Sequence, residues 1–220
     1  MKKKIVIFGA AEQAEVAEFL FRHDSDLEPV AFTVDKEFIR EETLSGLPII
    51  PFEEVHERFS PDEHFGFVAL GYTQMNQLRA QKLLAMKDKG YEITSYVSSK
   101  AVTWPGFQCG ENCLILEGNN IQPFVKIGSN VTLWSYNHIG HHSIVGDNVF
   151  ITSHVVVSGG VEIGNNSFIG VNATFRDHIQ LGEFSLVAAG TLINKSTDAY
   201  GVYMGVPGKK NDKKSTDLKI

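Results

Sequence analysis

The sequence predicts a small Rossmann-like parallel α/β domain over residues 1–98, followed by an all-β parallel β-helix with a C-terminal tail over residues 99–220. Three observations carry that reading. Short apolar runs alternate with helix-like patterns in the first half, a strict period of six governs the second, and no stretch is long and apolar enough to span a bilayer.

In the first half, Ile5-Val6-Ile7-Phe8 is a buried-strand run that ends at Gly9. Ala14, Ala17, Phe19, Leu20 and Phe21 then recur at helical spacing among Glu12, Glu15 and Glu18. Residues 29–34 read as a second strand leading into Asp35, and residues 67–70 as a third. Gly71 follows, then a helix-like segment from Met75 to Lys89 that ends at Gly90. Strand, helix, strand, then strand, helix describes a small parallel sheet.

The second half divides into fifteen hexapeptides from Phe107, and the third position of every one is apolar: Cys109, Ile115, Ile121, Ile127, Leu133, Ile139, Val145, Ile151, Val157, Ile163, Ile169, Phe175, Leu181, Val187, Ile193. Apolar residues make up 43% of the chain, so such a run is not chance spacing. Each hexapeptide supplies one short strand and one corner, and three close a triangular coil. The third-position side chain points into the prism, and small residues beside it let the chain turn. Fifteen hexapeptides make five coils, about 4.8 Å apart.

Composition narrows the function classes. A net charge of −6 argues against a nucleic-acid or anionic-membrane partner. The opening apolar run stops at Gly9 before Glu12 and Glu15, too short for a signal-peptide core, so a cytoplasmic protein without membrane insertion is expected. Cys109 and Cys113 are the only cysteines, and with no second Cys or His pair beside them they make a poor zinc site. No metal is expected.

Chemistry-bearing residues gather in two places. Five of the eight histidines, His138, His141, His142, His154 and His178, fall in the β-helix, with His141, His142, His154 and His178 at corners. Histidine is the natural base near neutral pH, although a corner histidine can equally be a solvated side chain. In the first half, Gly9-Ala10-Ala11 after a strand lets a phosphate approach the backbone and the next helix N-terminus. The fingerprint G-x-G-x-x-G is absent, which argues against a nicotinamide cofactor. Asp35 can bind a ribose or base, or form a turn, and Arg79 can pair with a diphosphate.

The repeat resembles the left-handed β-helix of the hexapeptide acyltransferases, over residues from about 100 to 210, and the tail 201–209 is similar to that family's G-V-P-A-K ending, with Gly208 in place of Ala. The first half resembles the nucleotide-sugar-binding domain of the PglD/NeuD-type sugar acetyltransferases, through Phe8-Gly9-Ala10, Asp35, Gly71-Tyr72, Asn76 and Arg79. The resemblance implies an N-acetyltransferase that uses acetyl-CoA on a nucleotide-linked amino sugar, usually a 4-amino-4,6-dideoxy sugar of a bacterial surface glycan. It also implies a homotrimer with coenzyme A in the groove between neighbouring helices.

By the same resemblance the general base is His141, within Ile139-Gly140-His141-His142-Ser143-Ile144-Val145-Gly146. The family often has a carboxylate after that histidine. Here His142 stands in its place, leaving Asn137 or a backbone carbonyl to orient the ring. His154 is a second candidate, for substrate or thioester. Gly159-Gly160 matches the glycine near the thioester, with a main-chain N–H as oxyanion donor. Ala188-Ala189-Gly190 let a pantetheine arm lie against the backbone, and Pro207, Lys209 and Lys210 lie where the cofactor's phosphates would be met. Three rivals share features of this pattern: O-acetylation of a sugar or sialic acid, a γ-carbonic-anhydrase-like zinc enzyme, and a non-catalytic scaffold.

Overall fold

The structure, a computed structural model, describes residues 3–217. The chain divides into two compact units, Met1–Gly71 with Arg79–Tyr96, and Tyr72–Leu78 with Val97–Ile220.

The first unit is built on a sheet whose inner strands are parallel. Strand β1 (Lys3–Phe8) lies between β2 (Leu27–Val34) and β5 (His64–Val68), with β3 (Thr43–Leu44) and β4 (Leu47–Pro51) beyond β2 and β6 (Glu92–Ile93) beyond β5. Ile5, Val6 and Ile7 are fully buried, as a strand covered on both faces requires. Helix α1 (Glu12–His23) buries Ala14, Ala17 and Phe21, and the Phe21 ring meets Phe67 and Tyr96 edge-on. The third strand begins and ends earlier than the apolar run 67–70 suggests. The short strand β4 carries Pro48 and Pro51, residues that mask a strand in a sequence. Helix α2 (Gln77–Asp88) starts later than Met75, because Gln74, Met75 and Asn76 all have positive φ and turn the chain in the left-handed sense.

The second unit is a parallel β-helix. Two-residue strands stack into three sheets, and each pairs with its counterpart one coil on: Ile127 with Val145, Leu133 with Ile151, Ile139 with Val157. From Ile115 to Ile193 every third-position side chain is buried, and these residues form the core of the prism, with Cys109 half-buried at its start. The end is closed by Tyr203. Its ring fills the space a side chain on Gly201 would need, and its hydroxyl donates to the Asp198 carbonyl.

Two positions in the repeat have separate physical roles. The fourth-position glycines allow close approach between coils. A Cβ on Gly164 would lie 2.5 Å from the Glu183 nitrogen, and one on Gly170 2.5 Å from the Ala189 nitrogen. The left-handed turn falls on the sixth position instead, at Asn130, Tyr136, His142, Asn148, His154 and their equivalents. Asparagine and histidine are enriched in that conformation. Along one corner the asparagines form an amide ladder: Asn112 Nδ2 donates to Asn130 Oδ1 (2.7 Å) and Asn130 Nδ2 to Asn148 Oδ1 (2.8 Å). Asn148 donates to Asn166, whose own amide donates to the Met75 carbonyl.

Candidate active site

One corner of the β-helix brings together His141, His142, Gly159, Gly160 and His178. The backbone of this corner is pinned between coils. The His142 N–H donates to the Pro123 carbonyl of the coil before, and the Gly160 N–H donates to the His141 carbonyl at 2.8 Å. Both histidine side chains are exposed. The His141 ring occupies the space above Gly159, where a Cβ would lie 2.6 Å from Cε1 and 2.8 Å from Nε2. A Cβ on Gly160 would likewise collide with the His178 ring. Both glycines leave room for the rings beside them, and Gly160, with φ +67, also takes the left-handed turn.

His141 Nδ1 lies 3.1 Å from His142 Nδ1, with the two rings edge to face. His142 is held on its other side by Phe124, ring centroids 4.6 Å apart. The corner thus sets the His141 ring between His142, at its Nδ1, and Gly159, against its Cε1–Nε2 edge. It lacks the neighbouring carboxylate that the resemblance implies.

Two expectations for this corner need correction. Asn137 does not orient the His141 ring. It is buried, its amide donates to the Trp134 carbonyl (2.6 Å), and its Oδ1 accepts from the Val155 N–H (2.7 Å). Asn137 is a rung of the interior, tying its coil to the next. The Gly160 N–H is spent on the His141 carbonyl, so it cannot also serve an oxyanion.

His154 sits on another corner, stacked on Tyr136 with ring planes 5° apart. Gly190 turns that same corner two coils on, with φ +70 and open space where a Cβ would stand. Ala189 is exposed and Ala188 half-buried, its N–H donating to the Tyr203 carbonyl. Lys209 begins a short strand (Lys209–Asn211) antiparallel to Val202–Met204, joined by a turn containing Pro207. Gly208 packs against the Thr191 side chain and donates its N–H to the Leu192 carbonyl. This tail lines a cavity of about 400 Å³ with Lys195, Ser196, Thr197 and Lys210. Lys210 is paired with Asp198 at 2.9 Å; the contact lowers the Asp198 carboxyl and raises the Lys210 ammonium.

In the first unit, Gly9 has φ +133, and a Cβ there would lie 2.7 Å from the Ala69 carbonyl. Ala10 is half-buried and Ala11, exposed, precedes α1 without a side-chain cap, leaving the helix N-terminus open. Glu12 and Glu15 in its first turn oppose an anion there. Asp35 is in place after β2, but it is ion-paired: Lys82 Nζ lies 2.6 Å from it and also lies over the Phe8 and Phe52 rings. The sequence reading missed Lys82, since a lysine on a helix carries no signal until its register is known.

Two residues expected to touch substrate are structural. Arg79 is buried and donates to the carbonyls of Leu70 and Gly71, bracing the chain after β5, so it cannot face a diphosphate. Asn76 is also fully buried, donating to the Ser167 carbonyl. Tyr72 is partly exposed and packs on Phe150 and Phe168. Among the described residues, no group of three or more His, Cys, Asp or Glu side chains is arranged to hold a metal ion. No described helix is long and apolar enough to cross a membrane.

Residues 124–159, which include His141, His142 and Gly159, match the family described as Bacterial transferase hexapeptide (six repeats). No curated protein matches the chain in sequence. Several solved structures match in fold. The acetyltransferase domain of PglB from Neisseria gonorrhoeae, in complex with acetyl coenzyme A, is 20% identical with a TM-score of 0.86, covering 96% of this chain and 100% of that one. PerB from Caulobacter crescentus, in complex with CoA and GDP-perosamine, is 22% identical with a TM-score of 0.82, covering 94% and 97%. WeeI from Acinetobacter baumannii is 19% identical with a TM-score of 0.73, covering 94% and 100%. The chain therefore shares over nearly its whole length the fold of these proteins, a small α/β domain followed by a left-handed hexapeptide β-helix.

Proposed function

We propose that this protein transfers an acetyl group from acetyl-CoA to the amine of a nucleotide-linked sugar, with His141 as general base. The observation that carries the reading is the His141 ring lodged on Gly159 at an open corner of the β-helix. The sugar nitrogen attacks the thioester carbonyl while Nε2 of His141 takes its proton. The C–N bond forms, the carbonyl oxygen becomes a tetrahedral oxyanion, and the C–S bond then breaks. The proton on His141 passes to the departing thiolate. With the Gly160 N–H engaged, the Gly159 N–H is the main-chain donor proposed for the oxyanion at this corner.

The finer reading is a 4-amino-4,6-dideoxy sugar destined for a bacterial surface glycan, acetylated in the cytoplasm. The enzyme is a homotrimer with coenzyme A between neighbouring helices, near Ala188-Ala189-Gly190 and the lysines of the tail. The first unit holds the nucleotide, through the Gly9-Ala10-Ala11 turn and the Asp35–Lys82 pair. Support comes from the ligands of the matching structures, acetyl coenzyme A for one and GDP-perosamine for another. Neither Cys109 nor Cys113 lies at the histidine corner, so direct attack is favoured over a thiol-bound intermediate. The test is thiol release from acetyl-CoA with UDP-, GDP- and dTDP-linked 4-amino sugars and free sialic acid, with the product identified by mass. An N-acetylated sugar nucleotide supports the reading; O-acetylated sialic acid in its place replaces it.

A further inference from the structure

The residue beside the base is a second imidazole. Two imidazole nitrogens 3.1 Å apart, such as Nδ1 of His141 and Nδ1 of His142, share one proton: one is an N–H and the other a lone pair. If His142 donates, neutral His141 carries its own proton on Nε2 and has no base directed at Gly159. If His141 donates, Nε2 keeps its lone pair where Gly159 lies. Only the second arrangement leaves Nε2 able to take a proton. The His142 ring is held in place by Phe124, which packs against it with ring planes 40° apart, and its backbone is left-handed with its N–H on the Pro123 carbonyl.

We infer that His142 is the positioning residue of this site, accepting a hydrogen bond from Nδ1–H of His141 and so holding Nε2 unprotonated. The inference rests on the proposed acetyl transfer for what the base is used for, and on geometry alone for the hydrogen bond.

The test is nitrogen NMR of the full chain labelled at histidine, above neutral pH and without substrate. His141 is expected to be protonated at Nδ1, the reverse of the preference of an unconstrained histidine side chain. His142→Phe is expected to abolish that preference and His142→Glu to restore it. Phenylalanine suits the position, since Phe124 and Phe184 occupy equivalent left-handed corners. Protonation of His141 at Nε2 in the wild type, or a tautomer unchanged in His142→Phe, overturns the inference. The spectra need no acceptor. The expected tautomer without acetyl transfer to any acceptor sinks the functional reading and leaves the hydrogen bond standing.

Discussion

The ring of His141 stands where a side chain on Gly159 would be, so this histidine and the glycine of the next coil are fitted to one another. The eighteen-residue register that pairs Ile139 with Val157 is what brings them together. Gly159→Ala is therefore expected to displace the ring while leaving the fold intact. Displacement of about 1 Å in a catalytic group costs roughly a hundredfold in rate. The check is turnover measured beside the melting temperature, with the first falling and the second nearly unchanged.

Arg79 braces the carbonyls of Leu70 and Gly71 and is buried. Arg79→Met should lower stability by about 2 kcal/mol or more, the scale for hydrogen bonds to a charged group. Urea unfolding reads this directly. In the folded fraction KM for the sugar nucleotide should change little, and a selective rise in KM without loss of stability would return Arg79 to the substrate.

The asparagine ladder separates two contributions at one residue. Asn130 accepts from Asn112, donates to Asn148, and has φ 58. Asn130→Ala loses the ladder and places alanine in the left-handed region, whereas Asn130→Gly loses the ladder alone. The alanine variant should be less stable by about 1 kcal/mol, the order of the left-handed penalty for a residue with a Cβ. Equal stabilities would show that the backbone relaxes.

Tyr91 is buried in the first unit, its hydroxyl donating to the Phe59 carbonyl at 2.6 Å, and burial pushes its pKa up to about 12. The folded state thus holds the phenol proton more tightly than the unfolded chain, whose tyrosines titrate near 10. That stabilisation is complete below about pH 10 and is lost as pH rises toward 12. Denaturant midpoints should fall across this window in the wild type, and Tyr91→Phe should flatten the fall.

The prism was legible because its third position admits only inward apolar side chains, and Ile115 to Ile193 repeat that demand without a break. The corners were not. Their left-handed residues include asparagine, histidine, phenylalanine, tyrosine and glycine, so what unites them is φ and no single chemistry. The ladder from Asn112 to Asn166 was visible as asparagines one coil apart, yet its meaning needed the amides to be seen donating to one another. His141 and Gly159 were found separately and are joined by the coil repeat. Arg79, Asn76 and Asn137 looked like site residues because polar side chains in a motif invite that reading, and their burial shows only when the chain is folded. Lys82 escaped because its partner Asp35 lies on a different element.

The most direct measurement is the initial rate of thiol release from acetyl-CoA, with the panel of nucleotide-linked 4-amino sugars, for the wild type and His141→Ala side by side. Release with one acceptor is expected in the wild type, with a loss of about a hundredfold or more in the variant, the usual scale for a general base. Release undiminished in His141→Ala, or none with any acceptor in the wild type, would contradict the proposed function.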